Sequence, residues 1–263
     1  IRPCDESAAI REAAEWALPH PVAVLLAARG FENLLREPSA FPFSDPLQFP
    51  DMEPAAARLN RALDGFEKIA VYGDYDADGV TATAMLYSYL ESCGGNVIYY
   101  IPEREGEGYG LNRGAVDTLH AQSVNLIVTV DNGISSVDEI AYASSLGIDT
   151  VVTDHHRPRE ILPPACAVVD PCRKDCAAPY LDFAGVGVAF KLIQAMEGPD
   201  CDLKALLENY GELVAIGTIG DVVPLTGENR ALVAVGLRYL PRTDRPGLRA
   251  LLEQTGLENR EIS

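Results

Sequence analysis

Basic side chains are scarce in this chain. Lys and Arg number 21 against 39 Asp and Glu, a formal net charge of −18 over 263 residues. That deficit argues against a protein that coats nucleic acid with a basic surface. It leaves room for one that meets phosphate through bound metal ions, which supply local positive charge. The six cysteines contain no CxxC. Only Cys166, Cys172 and Cys176 lie close together, at spacings foreign to structural zinc sites, and they read as reduced thiols. No apolar run is long and unbroken enough to span a bilayer, and no basic segment followed by an apolar one opens the chain. A membrane or secreted protein is therefore not expected, and a cytoplasmic one is. Internal repeats and low-complexity tracts are lacking too. The first residue is Ile1 rather than Met, as in a chain cut from a longer one.

What is present is a 48% hydrophobic chain, enough for one large α/β domain with a helical appendage or for two modest domains. Residues 7–36 read as two helical pieces parted by Pro19 and Pro21. Residues 37–51 hold four prolines and read as an extended loop, and 53–63 as a helix. Short apolar runs then alternate with helical segments. The strands expected are KIAVY (68–72), NVIYYI (96–101), NLIVTV (125–130), DTVVT (149–153) and CAVVD (166–170). The helices expected are 80–90, 113–121 and 136–147. Runs apolar on both faces with helices between them imply a doubly wound, mainly parallel five-stranded sheet with helices on both faces. Beyond residue 185 the chain reads as almost wholly helical. The organisation expected is a helical segment with its proline-rich loop over 1–64, the sheet domain over 65–240, and a connector beginning at 241–263.

In an open parallel sheet, ligands gather at the carboxyl ends of the strands. After 68–72 come Asp74, Asp76 and Asp78, after 125–130 comes Asp131, and after 149–153 come Asp154, His155 and His156. One Asp after a strand is usually a helix cap or turn residue, and Asp154 reads as one. Three strand ends carrying this chemistry point instead to divalent cations. Oxygen ligands with nitrogen suit Mn²⁺ or Mg²⁺, Mn²⁺ matching the imidazoles better, and two such ions about 3.5–4 Å apart are a common device for phosphoester hydrolysis. A receiver domain also gathers acids on this architecture, but it uses a strand-end Lys, and none is found here.

GDYDADGVTATA (73–84), DNGIS (131–135) and TDHH (153–156) resemble the successive motifs of the DHH phosphoesterase superfamily. Within it the chain resembles the RecJ family of single-strand-specific 5′→3′ DNA exonucleases, through LLAARGFENLL, DPLQFPDM, AAARLNRAL, IPEREGEGYGLN, VVDPCR, AGVGVAFKL and GTIGDVVPL. The resemblance implies two Mn²⁺ or Mg²⁺ ions bridged by Asp131, with Asp74, Asp76, Asp78, His155 and Asp221 completing their shells. Many superfamily members have His where this chain has Tyr72, so which two of Asp74, Asp76 and Asp78 bind metal stays open. His156 is expected to hold a phosphate oxygen, to protonate the leaving group, or to bind metal. Arg104, Tyr109, Arg113, Arg157 and Arg173 are candidate contacts to the strand, and Gly185 and Gly187 open a helix whose amides suit a phosphate. The products implied are 5′-mononucleotides. DNA repair and recombination are the implied setting, with a helicase and single-strand-binding protein as companions. Phosphodiesterases of short oligonucleotides or cyclic dinucleotides, and a non-catalytic replication scaffold of the same fold, are the alternatives.

Overall fold

The computed structural model describes residues 43–258 apart from Arg104, Glu105, Glu107 and Tyr109, together with Pro19, Pro21, Val22, Arg260 and Ile262. Apart from Pro19, Pro21 and Val22, the helical pieces expected over 7–36 lie outside the described residues. From Phe43 the chain forms one compact unit. Its elements are α1 (Met52–Asp64), β1 (Lys68–Tyr72), α2 (Ala77–Ser92), β2 (Asn96–Tyr100), α3 (Arg113–Ala121) and β3 (Leu126–Val130). There follow α4 (Val137–Ser145), β4 (Asp149–Thr153), β5 (Ala167–Val169), α5 (Gly185–Glu197), α6 (Leu203–Gly220), α7 (Gly227–Tyr239) and α8 (Pro246–Thr255).

The five strands pair in parallel throughout, in the order β2-β1-β3-β4-β5. Alternate residues of each strand enter opposite layers, as the period of two requires. Ile69, Val71, Val128, Val130 and Val151 join a core with α1, α2, α5, α6 and α7. Ala70, Tyr72, Ile127, Val152 and Val168 join a second core with α3 and α4. Each fully buried Val, Leu or Ile side chain contributes about 2 kcal/mol, so both faces of the sheet are held firmly. The doubly wound fold expected from the apolar runs is the fold observed.

Three differences bear on the site. The helix α1, expected with the N-terminal segment, shares the core of the sheet through Met52, Ala55 and Leu59, so residue 64 is not a structural boundary. The helix after β1 starts at Ala77, three residues before the expected start at 80. Asp76 is its N-cap, its Oδ1 accepting from the amides of Asp78 and Gly79 at 2.9 Å each. Asp78 is thereby drawn into the first helical turn and fully buried. Asp221 lies not inside a helix but at the C-cap of α6.

The chain leaves β1 toward β2 on one side and returns through β3 on the other. The crevice where the connections part opens at the carboxyl ends of β1 and β3, where a doubly wound sheet binds its ligand.

Candidate metal centre

The crevice is lined by the strand-end residues. Past Val130, Asp131 takes a left-handed backbone, φ 62°, which Asp tolerates better than most residues. The turn is fixed from several sides. The amide of Asp131 donates to the Thr153 carbonyl at 3.1 Å, Asn132 Nδ2 donates to the Val130 carbonyl at 2.9 Å, and Thr129 Oγ1 donates to the Asn132 carbonyl at 2.8 Å. Gly185, the first residue of α5, faces this turn. A Cβ there would come within 2.5 Å of the Asp131 Cβ, so only glycine lets the helix approach so closely.

The acid and imidazole groups converge. His155 Nε2 lies 3.1 Å from Asp131 Oδ1, 3.8 Å from Asp221 Oδ2 and 3.9 Å from Asp78 Oδ2. Ligand atoms of Asp74, Asp76 and Asp131 fall within 4.8 Å of one another, as do those of Asp78, His155 and Asp221, and those of Asp131, His155 and His156. Asp131 and His155 each belong to two of these groups, so two adjacent cradles share a border.

Two groups of the crevice are held by neighbours. Asp78 accepts from the amides of Gly185 (2.6 Å) and Val186 (2.9 Å), and the remaining lone pairs of its carboxylate face the cluster. Asp154, also fully buried, accepts from the amides of His155, His156 and Ile134. It also receives His156 Nδ1 at 2.8 Å, which fixes the ring.

The electrostatics carry the mark of crowding. Burial, then the charge of Asp131, pushes Asp78 up to about 8. Burial pushes Asp131 up to about 6 and raises Asp74 and Asp221 as well. Burial works against the His155 imidazolium, yet Asp131, Asp221 and Asp78 together raise it to about 9. His156 is raised by its hydrogen bond to Asp154, while the same bond and the backbone amides outweigh burial and hold Asp154 low. Asp74 Oδ1 is buried with no hydrogen-bond partner among the described residues. No Lys or Arg among the described residues pairs with Asp74, Asp76, Asp78 or Asp221, and the ionic partners described for Asp131 are the two imidazoles. Asp74 and Asp78 are buried acids left without Lys or Arg in this way, Asp76 is exposed and Asp221 half-buried, and oxygen-rich cradles with imidazole nitrogen fit Mn²⁺ or Mg²⁺.

Tyr72 stands apart from the crevice. Its ring stacks on Tyr100 at 5.3 Å and its hydroxyl donates to the Gly110 carbonyl at 3.0 Å, which leaves Asp74 to complete the first cradle.

The expected strand contacts fare unevenly. Arg104 and Tyr109 lie outside the described residues. Arg113 is exposed, its guanidinium over the Tyr142 ring at 5.1 Å, and Arg157 is exposed beside His156. Arg173 departs from expectation. It is half-buried, its guanidinium held by Asp51 (2.7 Å), by Asp175 (2.7 Å) and by the Val168 carbonyl, so it anchors the loop after β5 instead of facing phosphate. Gly185 and Gly187 also depart from it. The amides of Gly185 and Val186 are taken by Asp78, and Gly187 packs against Phe183.

One acid was missed. Asp170, after β5, is fully buried, its Oδ1 accepting from the Cys172 amide at 2.6 Å, and burial raises its pKa to about 7. The thiol of Cys172 in turn donates to the His155 carbonyl at 3.1 Å. The strand-end reading that found Asp131 applies equally to the VVD that closes β5.

A 2-1-3-4-5 parallel sheet whose carboxyl ends carry this set of acids and a histidine pair defines a DHH-type domain. The sequence matches the DHH family, N-terminal domain, over residues 68–218, and the chain belongs to that family. It is 42% identical over 240 residues to the single-stranded-DNA-specific exonuclease RecJ of Bacillus subtilis, covering 89% of this chain and 30% of that protein. Among solved structures it resembles exonuclease RecJ bound to manganese, with a TM-score of 0.73 and 39% identity, covering 82% of this chain and 54% of that one. It also resembles RecJ of Thermus thermophilus in complex with Mn²⁺, with a TM-score of 0.78 and 33% identity over 97% of this chain and 37% of that one. The chain thus spans about a third of the curated relative's length.

Proposed function

We propose that this chain is the metal-dependent catalytic portion of a 5′→3′ exonuclease that releases 5′-mononucleotides from single-stranded DNA. One observation carries the reading: two three-ligand cradles meet where His155 lies 3.1 Å from Asp131. The similarity to RecJ proteins along most of the chain supports the substrate class.

In this reading Asp74, Asp76 and Asp131 hold one divalent cation. Asp78, His155 and Asp221 hold the other, with Asp131 common to both. Two ions held there would supply positive charge to the phosphodiester and acidify a water. The chain's own work is alignment and proton handling. Asp154 fixes His156 through Nδ1, and His156 Nε2 then serves a phosphate oxygen or donates to the departing 3′-oxygen. The amides of α5 hold Asp78 in place. Exposed Arg157 and Arg113 offer charge to the strand. The cellular setting is cytoplasmic DNA repair and recombination, in company with a helicase and single-strand-binding protein.

The test is degradation of end-labelled DNA with Mn²⁺, with Mg²⁺ and with chelator. Release of 5′-mononucleotides from single strands alone, abolished by chelator, is the expected result. Preference for dinucleotides, cyclic dinucleotides or pyrophosphate moves the substrate to another branch of the fold. No hydrolysis under any condition favours the scaffold reading.

A further inference from the structure

Exposed apolar side chains flank the proposed ligand Asp221 at the end of α6 and stand in the first turn of α2. Val222 follows the proposed ligand Asp221 and has φ 63°. Among the described residues it is the only β-branched one with a positive φ. A β-branched side chain resists that conformation strongly, so the turn is held against local preference. The strain is not compensated by burial, because Val222 is 86% exposed while its neighbour Val223 packs on the core. Ile219, whose carbonyl accepts from the Val222 amide at 3.2 Å, is 43% exposed. The end of α6 lies against the start of α2: a Cβ on Gly220 would come within 2.8 Å of the Ala77 Cβ. One turn along α2 from Ala77, Val80 is 41% exposed. Exposed apolar side chains therefore sit on the two neighbouring helix ends that carry Asp221 and Asp76.

We propose that the ridge of Val80, Ile219 and Val222 seats the base of the nucleotide whose phosphate lies on the metals. The inference rests on the nuclease reading above and adds a substrate contact to it. With 21 basic against 39 acidic side chains, the chain as a whole disfavours a polyanion away from bound cations. Arg173 is already consumed by Asp51 and Asp175. Beside the charge that Arg113 and Arg157 offer, affinity away from the metals can draw on contacts that do not depend on charge, and every base has an apolar face to offer, whatever its sequence. A phosphate on the metals carries its base one sugar away, next to the cradle that holds it. A strained, outward-turned valine beside a ligand is a rigid support for such a base, since neither its backbone nor its χ1 has much freedom.

The experiment compares a single-stranded oligonucleotide with the same strand abasic at its 5′-terminal residue. Binding is measured by fluorescence anisotropy in Ca²⁺ and turnover in Mn²⁺, for the wild-type chain, Val222→Gly and Ile219→Ser. Glycine suits the positive φ, so Val222→Gly removes the side chain and relieves the backbone at once. The expected result is a loss of about tenfold in affinity and in kcat/KM for Val222→Gly on the base-bearing strand, the low end of what one apolar contact contributes to recognition. Ile219→Ser loses less, the abasic strand shows little change with either variant, and Mn²⁺ affinity by calorimetry is unaltered. Equal losses on both strands, or none, overturn the proposal. Base-dependent binding that Val222→Gly abolishes, without turnover in Mn²⁺, keeps the ridge and refutes the nuclease reading instead.

Discussion

The buried charges of this molecule live in two kinds of surroundings. Away from the crevice, acid meets base. Glu228 pairs with Lys191 at 2.7 Å, both buried, and buried Glu212 pairs with Arg245 at 2.9 Å. At the opposite end of β4, the buried guanidinium of Arg58 is shared by Asp149 and Glu67. At the carboxyl ends of β1, β3 and β4, buried acids face one another and two imidazoles. The same physics governs both places, since an acid taken out of water must be neutralised or protonated. The first set carries its counter-charge in the sequence and is finished when the chain folds. The second is completed only from solution, and that difference separates the parts that hold the fold from the part that acts.

Breaking each kind in turn sharpens the contrast. The largest effect belongs to Asp131→Ala, which removes the residue proposed above to serve both cations. Mn²⁺-dependent hydrolysis should fall more than about 10³-fold, beyond the 10–100-fold usual for groups outside the ligand shell. Thermal unfolding should show a native fold. Lys191→Met leaves Glu228 buried without its cation and should cost about 3 kcal/mol of stability in chemical denaturation, with or without Mn²⁺. Adding Mn²⁺ to the chelated wild type should stabilise it by about 2.7 kcal/mol at one hundred times the dissociation constant, and by far less in Asp131→Ala. A smaller stabilisation, opposite in sign to the effect of Lys191→Met, is expected from Asp74→Asn. Because burial disfavours the Asp74 charge, the neutral amide should raise the stability of the chelated protein by about 1 kcal/mol while weakening Mn²⁺ binding. If Asp74→Asn instead destabilises the chelated protein, the crevice is no different from the rest. The smallest effect separates two arginines: Arg157→Gln should reduce the salt slope of single-strand binding by about one, and Arg173→Gln should leave it unchanged at equal folded fraction.

The sheet was legible because its signal is local. Five short apolar runs with helices between them set the strands within a residue or so of their observed bounds, and the acids stood where those runs ended. Features that depend on distant parts of the chain were not legible. Arg173 reads as a solvated base after a turn until Asp51, from the far side of α1, closes on it. The amides of α5 read as a phosphate seat until Asp78 fills them. The depth of Asp78 followed from the capping role of Asp76, which moved the helix start by one turn. Asp221 was suggested only by family resemblance, since no spacing links the end of α6 to β4. Asp170 is within reach of the strand-end rule, since it closes the β5 run as Asp131 closes that of β3.

Anomalous X-ray diffraction from a crystal of this chain soaked in Mn²⁺ is the most direct test of a two-metal centre in the crevice. Two peaks about 3.5–4 Å apart, one among Asp74, Asp76 and Asp131 and one among Asp78, His155 and Asp221, are the predicted result. A single peak away from Asp131, or no peak in the crevice at full Mn²⁺ occupancy elsewhere, would contradict it.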